Sequence, residues 1–137
     1  MEKEFVTYEL ALKMKQLGFE EPCLACYYNA GEKLDIDEYV RHGQYTVLAP
    51  LFQQAFRWFR EKYDFSHSIN KTYRGQYMPY VNGEELLDMD TEKKVDDNVI
   101  DDFGYKWLYD SYEEAELACL EKLIKIVEEN ELNKQSN

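Results

Sequence analysis

Cys23-Leu24-Ala25-Cys26 has the spacing used by dithiol redox centres and by halves of zinc sites, so it is the first group that could do chemistry. A redox pair needs a helix N-terminus to lower the first thiol's pKa. Here the two thiols fall in a short apolar run, Pro22 to Tyr28, that reads as a strand, and strand residues three apart face opposite ways. Zinc would need further ligands from Cys119, His42 and His67, which include no second close pair. No metal or other cofactor is expected, and the cysteines are read as buried structural thiols.

Ser66-His67-Ser68 sets hydroxyls beside an imidazole, but neighbours on a strand diverge and no third group is identifiable to orient them. Asp88-Met89-Asp90-Thr91-Glu92 opens like a calcium loop, yet Lys93 stands where that loop needs Gly and Val99 where it needs Glu. No glycine-rich phosphate loop occurs. Glu116 falls inside the apolar arc of the last helix, near Leu123 and Val127, and a carboxylate there needs a partner. Arg57 and Arg60 are the expected cations of a buried ion pair with it. The chain is therefore read as non-enzymatic, with Glu116 and His67 the residues to test for catalysis. Lys71, Tyr73, Arg74, Tyr77 and Tyr80 form a basic and aromatic mix of the kind found in binding surfaces. The plain alternative is a tyrosine-rich sheet with one wet face.

The elements that must position these residues follow from spacing. Thr7 to Gly18 predicts a helix, with Thr7 accepting from the first free amides, Leu10, Met14 and Leu17 on one stripe, and Gly18 as a left-handed cap. Glu32 to Thr46 lacks clean periodicity and is read as irregular, with room for a second short strand. From Pro50, the residues Leu51, Phe52, Ala55, Phe56, Trp58, Phe59 and Tyr63 cover one broad helical arc, which predicts the central packing helix. Gln53, Gln54, Arg57, Arg60 and Glu61 take the opposite arc. Phe65 to Tyr73 and Gln76 to Val81 predict a hairpin joined through Arg74-Gly75, with Asn82-Gly83 closing its second strand. A third strand is expected at Tyr105 to Tyr109. Ser111 and Glu114 make a capping box for a last helix to about Glu129. The expected class is α+β, a small antiparallel sheet of three or four strands packed by helices on one face, in the order helix, strand, helix, hairpin, strand, helix.

Composition bounds the function. The 137 residues suit one domain, expected over 1–130, with a frayed polar tail at 131–137. Apolar residues make up 45% and aromatics 15%, enough to fill a core without disulfides or metal. The net charge of −12 disfavours direct binding to nucleic acid or anionic lipid. Nine acids against Lys93 and Lys94 give the stretch Glu84 to Asp102 a charge of −7, and it is expected to be a mobile acidic loop. No run reaches the roughly 18 apolar residues of a membrane helix. The opening Met1-Glu2-Lys3-Glu4 is not followed by a signal-peptide core, so the expected compartment is the cytoplasm.

The stretches Lys3 to Cys23, Ala49 to Tyr63 and Ser111 to Val127 resemble a family of short uncharacterised proteins from gut Bacteroidales and from their phages and mobile elements. QAFRWFREKY and YEEAELACLEKLI carry the resemblance most specifically. It implies a phage or mobile-element setting and supplies no activity, cofactor or site residue. It also implies a simpler run of strands in the middle of the chain, from which Glu84 to Asp102 departs. The leading expectation is a protein-binding accessory protein with an unidentified protein partner. A second is an acidic mimic of nucleic acid that inhibits a host nuclease or DNA-binding protein.

Overall fold

The structure is a computed structural model that describes residues 2–36, 46–82, 84–85 and 108–135. The chain divides into two compact units, Met1–Asp64 with Leu123–Asn137, and Phe65–Lys122. It belongs to the α+β class. Among the described residues the strands form two three-stranded antiparallel sheets, where the sequence suggested one. Strand periodicity tells which face is apolar but not which strands pair, and pairing is what separates the two sheets.

In the first unit, a short 3-10 turn at Glu2–Glu4 precedes α1, Tyr8–Gln16. Thr7 takes the N-cap position, its carbonyl accepting the first helical hydrogen bond from Ala11 N–H at 2.8 Å, but its side chain makes no capping hydrogen bond. Gly18 takes the left-handed conformation expected of it, at φ +100°, and lets Phe19 N–H reach the Met14 carbonyl at 2.9 Å. The first sheet has the order β2-β1-β3, with β1 at Ala25–Tyr28, β2 at Lys33–Ile36 and β3 at Val47–Ala49. Ala25 lies opposite Ile36 on one side and Ala49 on the other. The strand β2 occupies part of the stretch read as irregular, and residues 37–45 lie outside the described residues.

The helix α2, Phe52–Tyr63, starts two residues after Pro50 and buries Phe52, Ala55, Phe56, Trp58 and Phe59, as its aromatic arc predicts. Trp58 makes edge-to-face contacts with Phe19 at 5.4 Å and Phe59 at 5.0 Å. Lys62 closes the exposed side. Its ammonium sits 4.8 Å from the Trp58 ring and donates to the Leu17 carbonyl at 3.1 Å, a carbonyl that the end of α1 leaves free. Leu123, Ile124 and Val127 are also buried.

In the second unit, β4 (His67–Lys71), β5 (Tyr77–Val81) and β6 (Glu84–Glu85) form the sheet β4-β5-β6. Pro79 lacks an N–H, yet it sits in the middle strand. The ladder explains how. Asn82 N–H bonds the Ser66 carbonyl and Tyr77 N–H the Tyr109 carbonyl, so the odd positions of β5 face away from β4. On that side, among the described residues, β6 pairs Tyr80 and Val81, and Tyr109 pairs Tyr77. The proline nitrogen therefore faces a gap in the described pairing. The expected strand at 105–109 is represented by the isolated Tyr77–Tyr109 bridge, and 105–107 lie outside the described residues.

The helix α3, Tyr112–Gln135, opens on the predicted cap, with Glu114 N–H donating to Ser111 Oγ at 3.1 Å. It runs six residues beyond the expected end. Of the acidic stretch, only the backbone of Glu84 and Glu85 lies within the described residues. No described helix is long and apolar enough to cross a membrane.

Candidate functional site

The β4–β5 turn is built to expose two side chains. Thr72 N–H donates to the Gln76 carbonyl at 2.7 Å, Gly75 N–H returns to the Thr72 carbonyl at 3.0 Å, and Thr72 Oγ1 accepts from Gln76 N–H at 3.2 Å. Three residues, Tyr73 to Gly75, bridge the strands, and Gly75 at φ +83° takes the left-handed position that such a turn reserves for glycine. Tyr73 and Arg74 are thereby held at the tip. Tyr73 is 84% exposed. The Arg74 guanidinium lies 5.4 Å from the Tyr73 ring centre, and its Nε–H donates to the Tyr73 hydroxyl at 3.1 Å.

Below the tip, Lys71 lies opposite Tyr77, and its ammonium sits 5.8 Å from that ring. Tyr77 meets Tyr112 edge to face at 6.0 Å, extending the row onto the first turn of α3. Burial, then Glu116, raises the pKa of the Tyr112 phenol, so it stays protonated. The five residues read from the sequence do not form one face. Lys71 and Tyr77 share a face, Tyr73 and Arg74 share the tip, and alternation turns Tyr80 to the other side, opposite Ser68. The Tyr80 carbonyl accepts from Cys119 Sγ at 3.8 Å. Tyr112 was not a candidate in the sequence. Its only local signal was its place beside the cap, and β5 alone brings it to Tyr77.

The first unit carries a concave feature, a groove of about 570 Å³ between α2 and the segment entering β1. Its walls include Cys23, Leu24, Gln53, Gln54, Arg57 and Arg60. Gln54 Nε2 donates to the Pro22 carbonyl at 2.9 Å and ties the walls together. The sequence missed this site because it joins residues some thirty positions apart.

The other candidates change accordingly. Arg57 and Arg60 are exposed on α2 in the first unit, and Glu116 is half-buried on α3 in the second. The Glu116 pKa is raised by burial and then by Glu113, which is the opposite of what a cationic partner does. All three cysteines are free thiols; Cys26 and Cys119 are buried, as read from the sequence, but Cys23 is half-buried and faces the groove. Burial, then Glu21, pushes the Cys23 thiol up to about 12, which keeps it protonated and a poor nucleophile. Burial, then Glu116, likewise pushes Cys119 up to about 12. Ser66 is engaged in closing the hairpin, its N–H donating to Asn82 Oδ1 at 2.8 Å, while His67 lies half-buried on β4. Among the described residues, no three His, Cys, Asp or Glu side chains gather to hold a metal. Asp88 to Glu92 lies outside the described residues.

The chain matches no protein-family model, no curated protein and no solved structure.

Proposed function

We propose that the protein is a non-enzymatic accessory protein that binds another protein through the tip of the β4–β5 hairpin, in the cytoplasm and in the phage or mobile-element setting that the resemblance implies. The observation that carries this reading is Tyr73, a large aromatic left 84% exposed on a hydrogen-bonded turn. A ring held this way loses little conformational entropy on binding, and Tyr and Arg are the residue types that dominate binding energy at interfaces. Arg74 and Lys71 add a local positive charge to a chain of net charge −12. The partner surface is therefore one that offers carboxylates or carbonyl groups around an apolar recess. Screening at physiological salt, over about 8 Å, lets this patch act apart from the rest of the charge.

The test is capture from host-cell lysate with nuclease treatment, comparing the wild-type chain with a Tyr73→Ala, Arg74→Ala variant. Both side chains are exposed, so unfolding should shift by no more than about 0.5 kcal/mol. Capture of the partner should be lost. A variant that retains the partner would sink the surface assignment.

The net charge favours the acidic mimic as a second reading, in which Glu84 to Asp102 occupies a basic groove on a nuclease or DNA-binding protein. That complex should dissociate as salt is raised and should be insensitive to the Tyr73 and Arg74 substitutions.

A further inference from the structure

We propose that the groove between α2 and residues 22–24 binds a small organic anion, a carboxylate or a phosphate ester with a compact apolar part. Arg57 and Arg60 would hold its charged group. Gln53, Arg57 and Arg60 fall at i, i+4 and i+7, so they share one face of α2, and all three line the groove. Two guanidinium groups one helical turn apart can direct their planar forks at a single oxyanion, which is the geometry that carboxylate and phosphate recognition uses. In a chain with 16 basic and 28 acidic residues, two cations side by side on one groove wall run against the overall field. That is the charge complementarity an anion requires.

The volume of about 570 Å³ lies within the roughly 300–1,000 Å³ of small-ligand sites. The Gln54 to Pro22 hydrogen bond spans the two walls. Leu24 supplies the apolar contact. It is 57% exposed, a large aliphatic group that its own fold leaves uncovered, and Leu51 and Pro22 line the groove with it. The anionic group sits at the arginines, with the apolar part toward Leu24, the exposed aliphatic group of the facing wall.

The test uses the full chain labelled with 15N-arginine, following the side-chain Nε–H signals of Arg57 and Arg60. Phenyl phosphate, hexanoate and inorganic phosphate are titrated separately, with sodium chloride at matched ionic strength as the blank. We expect saturable shifts at both arginines for one of the organic probes, about tenfold tighter than for inorganic phosphate, and the tighter probe identifies the anionic group. The charge-conserving Arg57→Lys, Arg60→Lys variant should weaken that binding about tenfold, because lysine lacks the fork. Leu24→Ser should weaken the organic probe and leave inorganic phosphate unchanged. Shifts that follow ionic strength without saturating would overturn the proposal. So would equal affinity in the double lysine variant, or equal affinity for inorganic phosphate.

Discussion

In the first unit α2 hides its rings: Phe52, Phe56, Trp58 and Phe59 are buried, and Trp58 touches Phe19, Phe59 and Tyr63 edge to face. In the second unit most of the described rings are tyrosines, with Tyr73 and Tyr112 exposed and Tyr77, Tyr80 and Tyr109 half-buried beside a half-buried Phe65. A helix can turn a broad arc inward, and phenylalanine has no polar atom to keep wet. A strand alternates, and a phenol needs a partner or water for its hydroxyl. One region thus commits its aromatic surface to stability and the other keeps much of it available at the surface.

Core truncation should break this comparison most severely. Phe59→Ala is expected to cost about 3–5 kcal/mol, because Phe59 is fully buried and its loss leaves a cavity beside Trp58 and Tyr63. Denaturant unfolding measures it. In the second unit, Met78→Ala should cost about 2 kcal/mol, the lower end for a buried methionine, since Met78 retains 7% exposure. Amide exchange should place that loss in β4 and β5. Equal costs for the two variants would contradict the contrast.

The smallest effect concerns Glu116. Its pKa is raised above the ordinary 4.5 by burial and then Glu113, so the native state holds a proton that the unfolded chain has already released. Stability therefore falls as pH rises from the ordinary value through the raised one, and the penalty is constant above it. Glu116→Gln should stabilise the protein at pH 7 by no more than about 0.5 kcal/mol, with no difference from wild type below about pH 4. Thermal melts across that range would show it. A variant less stable at pH 7 would instead indicate that the carboxylate has a cationic partner.

Local spacing carried much of the fold. The aromatic arc after Pro50 becomes α2, the Ser111 and Glu114 cap opens α3, and Arg74-Gly75 lies in the turn of the hairpin. The candidate surface was readable in part. Lys71, Tyr73, Arg74 and Tyr77 lie where the hairpin reading put them, but Tyr80 faces away, because β5 alternates and residues 77 and 80 differ by an odd number. Thr7 is the N-cap residue, as read, but its side chain makes no capping hydrogen bond and so does not accept from the first free amides of α1.

The sequence by itself determined the helices, the hairpin turn and the inward face of α2, because periodicity and capping act over a few residues and are written in residue type. Tertiary structure alone decided that the described strands form two sheets, that Tyr112 meets Tyr77, and that Arg57 and Arg60 line a groove with Cys23 and Leu24. The last two join residues more than thirty positions apart, and the first turns on which strands pair. They depend on which backbone edges and side-chain surfaces fit together in space, and local spacing holds no record of that.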